Sequence, residues 1–327
     1  MKWIKAIFIL CLCIVTLEFL AQFRFQQNNI WLPMKLRKNI AENSLASHRL
    51  NKNFSGKSST GIPFYTNSFG FRCSLNDFQN KSHNSDKNIV LLAGDSICFG
   101  MYEPFKNSIG YYLNKNISKY NWNCMTQAIP GGSQAMTTDH LFGPDHLAKQ
   151  TKAKWIIHSI THYDAVDNLL YNQDKEKLKN SSDRILRLLK ISLTPYFAQM
   201  LQVKVRDFLL KDDPTDLLFA DSLNRNNAST KTIKALFDAC KKENISLAFF
   251  FTPDRGELLN PSFEKQKELE AFFNKNHIPY FDLRLALKND QSIDLNKVFR
   301  DDKIHLSQYG AMKSAEKLSN WFHKIQQ

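Results

Sequence analysis

The sequence predicts an α/β protein, a three-layer α/β/α sandwich around a central, mostly parallel sheet, preceded by an N-terminal transmembrane helix. Three observations predict this. Short apolar runs of strand length recur at Asn88–Ala93, Asn121–Ala128, Trp155–Ile160, Ile245–Phe251 and His277–Asp282. Segments with helical spacing of apolar residues lie between them, and strands alternating with helices give a parallel sheet covered on both faces. Finally, Ala6–Phe23 is apolar except for Thr16, Glu18 and Gln22, close to the ~20 residues that a spanning helix needs.

Composition sets the outer bounds. The chain has 327 residues with 43% hydrophobic content, enough for one large α/β domain with extra segments. The expected divisions are a signal-anchor over residues 1–25, a stalk and lead-in over 26–87, and a main domain over 88–327 with a helical insertion near 182–211. The formal net charge is +13, with Lys and Arg spread along the chain. That reads as a solvated basic surface, or as attraction to anionic headgroups or acidic glycans. No RNP, zinc-finger or helix-turn-helix pattern is present, which excludes the usual nucleic-acid readers. The cysteines are Cys11, Cys13, Cys73, Cys98, Cys124 and Cys240. None pair as C-x-x-C, so zinc is not indicated. A disulfide among the last four is open if the domain lies outside the cytoplasm, and Cys98 reads as a small core filler.

Taken in order, the N-terminal run lacks a small-x-small cleavage pattern, since Phe19 and Leu20 precede Ala21, and so reads as an uncleaved anchor. Lys2 and Lys5 favour a cytoplasmic start, whereas Arg24, Lys35, Arg37 and Lys38 lie on the other flank. The phrase Asn67-Ser-Phe-Gly-Phe-Arg72 suggests an edge strand or a turn at Gly70, with Arg72 in a surface ion pair or on a substrate anion. Asn107–Lys115 is a helix with Ile109, Tyr112 and Leu113 on one side. Ser133–Lys149 is helical with a break near Gly143-Pro144. Asp164–Lys179 starts acidic, as a helix N-terminus prefers. Ser182–Lys211 carries apolar stripes among Arg and Lys and reads as two amphipathic helices, packed on the core or forming an interfacial lid. Ser222–Lys242 and Glu264–Asn276 are helices, and Thr252-Pro-Asp-Arg255 lies where it would line a pocket. Asp282 reads as a strand-end cap. Ser307–Lys324 closes the domain with Met312, Ala315, Leu318 and Trp321 turned inward.

The chemistry is concentrated at two places. Asn88–Ala93 ends in Gly94-Asp95-Ser96, with Gly100 four residues on. A serine at the C-terminal end of a buried strand, before a helix, stands where α/β sheets bind ligands, and its backbone N–H can face the site. Serine alone is a weak nucleophile and needs a base. The strong candidate is His305, with Asp302 three residues earlier, a spacing that puts the carboxylate beside the imidazole on a turn or helix start. Asp301 is the alternative acid.

GDSICFG resembles the first block of the SGNH/GDSL hydrolase superfamily, GDSxxxG. Asp302-Lys-Ile-His305 resembles its last block, DxxH. The resemblance runs from roughly Asn67 to the C-terminus. It implies an SGNH/flavodoxin-like fold, an ester-cleaving Ser96–His305–Asp302 site, and an oxyanion hole built from Ser96 and a second-block glycine. The Pro-Gly-Gly turn supplies Gly131 as first choice and Gly132 as second. The family expects an Asn then Asp after the third strand. Aligning the Asp on Asp164 leaves Tyr163 at the Asn position, so Tyr163 or His162 would have to donate instead. His158 and His162 are four apart, with Asp164 close by, but the segment reads as strand and loop and not as a helix, so no metal is indicated, and no cofactor is. The resemblance implies a membrane-anchored, extracytoplasmic serine esterase acting on an acylated glycan or lipid. The alternatives are an O-acyltransferase on envelope polysaccharide and a weakened fold kept for binding or assembly.

Overall fold

The structure is a computed structural model that describes residues 37–39, 48–58, 61–80, 86–161, 164, 168, 171, 228–252, 254–259, 267–302 and 304–327. The expected anchor over 1–25, the insertion over 182–211, His162 and Tyr163 all lie outside the described residues. Among the described residues no helix is long and apolar enough to cross a membrane.

A short antiparallel pair, β1 (Arg37–Asn39) and β2 (His48–Leu50), precedes the main sheet. The sheet then collects β3 (Ser55–Lys57), β4 (Pro63–Thr66) and β5 (Arg72–Cys73). A short helix α1 (Leu75–Asn80) separates these from β6 (Asn88–Ala93), α2 (Ser96–Phe99), α3 (Ile109–Ile117) and β7 (Trp122–Thr126). Next come α4 (Gln134–Phe142), α5 (Leu147–Gln150) and β8 (Ala153–Ile160). The last part holds α6 (Ala228–Lys242), β9 (Ser246–Phe251), α7 (Arg255–Leu259), α8 (Lys267–Lys275), β10 (Tyr280–Asp282), α9 (Leu283–Lys288) and α10 (Gln308–Ile325). The strand order is β10-β9-β8-β6-β7-β5-β4-β3. The first five of these are mutually parallel, and β5, β4 and β3 join antiparallel. The segment expected as stalk and lead-in therefore contributes three strands to the same sheet.

Alternation along the strands explains the layers. In β6, Val90 and Leu92 face one core and Ile89, Leu91 and Ala93 the other. In β9, Phe250 joins the first core while Leu247, Phe249 and Phe251 join the second. The first core is closed by α3, α9 and α10 through Leu113, Leu287 and Leu318. The second is closed by α4, α6 and α8 through Leu141, Leu236 and Phe273. Each such side chain contributes about 1.5–3 kcal/mol on burial. Gly110 lets α3 lie close on β7, since a Cβ there would stand 2.0 Å from the Thr126 hydroxyl.

Two expectations change. The stripe of α10 runs through Ala311, Ala315, Leu318 and Phe322 and leaves Met312 exposed. Trp321 does turn inward, half-buried against the first core and stacked on Phe281. Cys73, Cys98, Cys124 and Cys240 are all buried free thiols, so they form no disulfide with one another. Burial pushes the Cys73, Cys124 and Cys240 thiols up to about 12, which keeps them protonated. Asp282, as expected, caps α9 by accepting from the Arg284 and Leu285 N–H groups, and it also pairs with the buried Arg284 guanidinium.

His158 of β8 is fully buried, with its ring against Phe249 and its nitrogens on the Thr137 hydroxyl and the Ser159 carbonyl. Burial lowers its pKa from 6.5 to about 4, against hydrogen bonds that raise it. Between those values the unfolded chain binds the extra proton, so stability is full above 6.5 and falls as pH drops towards 4. We expect this one group to account for a loss of about 3 kcal/mol over that window. Urea unfolding at pH 7.5 and 4.5 checks it, with a smaller pH difference expected in His158→Gln than in the wild type.

Candidate active site

Ser96 opens α2 at the C-terminal end of β6. The preceding Asp95 is the N-cap, its carboxylate accepting the Ile97 N–H at 3.0 Å. Burial pushes the Asp95 carboxyl up, opposed by bonds from neighbouring amides and by the nearby His305. Gly100 ends α2 in the left-handed region at φ 73°. The sequence made this turn from two glycines and a short polar cap, so the serine is presented at the sheet edge instead of inside a long helix.

His305 sits 209 positions later, in a hairpin before α10. A bridge between Phe299 and Leu306 and the Arg300 N–H to the His305 carbonyl at 2.9 Å hold this hairpin. The hairpin packs on α10, where Gly310 allows close approach; a Cβ there would lie 2.0 Å from the Val298 carbonyl oxygen. His305 Nε2 is 3.0 Å from Ser96 Oγ, and His305 Nδ1 is 2.8 Å from Asp302 Oδ2. Asp302 Oδ1 accepts the Ile304 and His305 N–H groups at 3.0 and 2.9 Å. Partial burial raises the Asp302 carboxyl, but these bonds and the His305 charge outweigh it and hold it at about 2. Asp302 is thus ionised through the neutral range. The imidazole is shielded, at 13% exposure, while Asp302 stands at 36% on the solvent side.

The turn after β7 is fastened beside the serine. The Ile129 N–H donates to the Gly94 carbonyl at 3.0 Å, and the Gly132 N–H closes on Ile129 at 2.7 Å. The Gly132 N–H is therefore occupied. Among the described residues no acceptor takes the N–H of Ser96 or of Gly131. Gly131 has φ 70° with open space around it, whereas a Cβ on Gly132 would lie 2.5 Å from the Gly94 oxygen. Behind this turn, buried Gln134 donates to Asp164 at 2.7 Å and accepts from Asn168 at 2.6 Å, and Asn168 also accepts the Ala135 N–H. Asp164 additionally accepts the Thr161 N–H and hydroxyl. This network ties the start of α4 to the exit of β8.

The structure brings together Ser96, His305 and Asp302 in one hydrogen-bonded chain. Asp301 is exposed beside it. Thr252 is buried and donates to the Ile160 carbonyl at 3.0 Å through its N–H, tying β9 to β8. Among the described residues no group of three His, Cys, Asp or Glu side chains is arranged to hold a metal ion. Arg72, expected in a surface ion pair or on a substrate anion, does not lie at the surface. It is fully buried, donating to the carbonyls of Phe99, Gly100 and Glu103. Sequence reasoning missed this role, the Gln134–Asp164–Asn168 network, and Tyr102, whose ring meets the His305 ring edge-on at 5.0 Å. The capping role of Asp95 was readable from its place before a helix start; nothing local marked Tyr102.

An α/β sheet with a serine, a histidine and an aspartate hydrogen-bonded in series at a strand end defines a class of site, the nucleophile–base–orienter constellation. No protein-family model and no curated protein matches the chain. Among solved structures it is similar to TesA, at 10% identity and a TM-score of 0.45, over 73% of this chain and 99% of that one. It is also similar to a G-D-S-L family lipolytic protein from Desulfitobacterium hafniense, at 14% and 0.43, covering 72% and 99%. A third is an acetylxylan esterase from Geobacillus stearothermophilus, at 12% and 0.41, covering 73% and 94%.

The two glycines of the turn differ in a measurable way. Gly132→Ala places a methyl against backbone and should lower stability by about 1–3 kcal/mol. Gly131→Ala meets only the left-handed penalty of roughly 1–2 kcal/mol, without a clash. Thermal melts of the two variants check the order, and a Gly132→Ala protein as stable as wild type would contradict the close packing.

Proposed function

We propose that this protein is a serine ester hydrolase of the SGNH/GDSL type. The observation that carries the reading is the unbroken Ser96–His305–Asp302 chain, with separations of 3.0 and 2.8 Å. The motif resemblance at Gly94-Asp-Ser96 and Asp302-x-x-His305 supports it independently.

In this reading His305 Nε2 takes the Ser96 proton as Oγ attacks the ester carbonyl carbon. The Nδ1–H donates to ionised Asp302, which fixes the tautomer and stabilises the imidazolium. The carbonyl oxygen becomes an oxyanion, held by the Ser96 and Gly131 N–H groups. As it collapses, the alcohol leaves with the proton from His305 and the acyl group stays on Ser96. Water then attacks with His305 again as base, and the acid departs. Each oxyanion donor is worth roughly 10²–10³ in rate, so the third donor, for which Tyr163 and His162 are the candidates, affects speed more than mechanism. The proposed substrate is an acylated glycan or lipid carrying a small acyl group such as acetyl. The proposed setting is a single-pass anchor over residues 1–25 with the domain extracytoplasmic.

The test is hydrolysis of p-nitrophenyl acetate. We expect turnover by the wild type and none by Ser96→Ala; an inactive wild type that folds normally would favour a binding or assembly role. Asp302→Asn should keep the fold and lower kcat by roughly 10³–10⁴-fold, through loss of the tautomer-fixing carboxylate. Free acetate against acetylated oligosaccharide as product separates hydrolysis from O-acyl transfer.

A further inference from the structure

We propose that Arg72 is a positioning residue for the Ser96–His305 pair, clamping the backbone of residues 99–103 so that this loop holds nucleophile and base in register. The inference rests on the reading of Ser96 and His305 as nucleophile and base.

The turn Asn67-Ser-Phe-Gly-Phe-Arg72 delivers the side chain. The Asn67 carboxamide oxygen accepts the Phe69 and Phe71 N–H groups, both at 3.0 Å. Gly70 has φ 82°, and a Cβ there would lie 2.6 Å from the Leu50 carbonyl oxygen. The chain then enters β5, where Arg72 pairs with Thr126 of β7. Its guanidinium carbon lies 4.8 Å from the Phe99 ring centroid and 5.1 Å from that of Phe64. Nη1 donates to the Phe99 and Gly100 carbonyls and Nη2 to the Glu103 carbonyl. An apolar side chain of similar volume would fill this space without the cost of burying a cation. What the guanidinium supplies is direction, because its planar fork fixes several acceptors at once.

The clamped loop reaches both partners of the site. Its Met101 N–H donates to the Ser96 carbonyl at 3.0 Å. Its Tyr102, at φ 68° in the left-handed region, sets a ring edge-on against His305 at 5.0 Å. The Glu103 carboxylate pairs with Arg300, whose N–H is bonded to the His305 carbonyl. One buried side chain thus organises backbone contact to Ser96, ring contact to His305 and the ion pair that docks the His305 hairpin.

The experiment is steady-state p-nitrophenyl acetate kinetics on Arg72→Lys, Arg72→Ala and Glu103→Gln, with melts and far-UV circular dichroism as folding controls. For folded Arg72 variants we expect kcat to fall by roughly 10- to 100-fold with KM nearly unchanged, the scale of a small misplacement. Millimolar guanidinium should restore part of the Arg72→Ala kcat, with urea as the inert control. Folded Arg72 variants with wild-type kcat would overturn the proposal and leave Arg72 a packing element. If neither Arg72 variant folds, Glu103→Gln decides. A lower kcat and a displaced pH profile of kcat/KM support the clamp, and wild-type values for both overturn it. A folded wild type that leaves the ester intact removes the hydrolase reading and this inference together, whereas wild-type turnover with unaffected variants removes only the inference.

Discussion

The hydrogen bond between Ser96 Oγ and His305 Nε2 spans 209 positions of sequence, and the fold is arranged around making it. Closing so long a loop costs entropy that one hydrogen bond cannot offset. The two cores carry that cost. Val90, Leu92 and Phe250 on one face meet Leu318 and Phe322 of the C-terminal helix, so the helix that follows His305 is anchored to the strand that precedes Ser96. The contact sits at the end of packed strands because packing is what sets the distance.

Around this contact the protein buries polar groups that a minimal core would avoid. Arg72 and the Gln134–Asp164–Asn168 network are both fully or nearly fully enclosed. Such groups are costly when unsatisfied and strongly directional when paired. Here each holds a loop that borders the serine. Arg72 holds the loop after α2, and the Gln134 network holds the turn bearing Gly131 and Gly132. Burial lowers the Arg72 pKa to about 9 against the raising effect of Glu103, and the side chain remains cationic at neutral pH.

Much of the architecture could be read in advance. Buried parallel strands such as Asn88–Ala93 and Ile245–Phe251 are continuous apolar runs, and short motifs placed the serine and the histidine. Less legible was whatever depends on tertiary neighbours. Arg72 reads as a surface charge because isolated arginines mostly are; the carbonyls of Phe99, Gly100 and Glu103, distant in sequence, give it a buried place. Lead-in strands β3 to β5 are two to four residues long, too short for periodicity to show. Met312 and Ala311 are adjacent, and a one-residue rotation of a helical stripe decides which faces inward. Tyr102 acquires its meaning only once the hairpin carrying His305 folds over it.

The central claim is that Ser96 is a nucleophile activated by His305. The most direct measurement is intact-mass and peptide mapping after treatment with a fluorophosphonate, which forms a stable adduct on an activated serine. The account predicts one adduct per chain, located on Ser96, and its loss in a folded His305→Ala protein. An unmodified wild type, or an adduct on another serine that persists without His305, would contradict it.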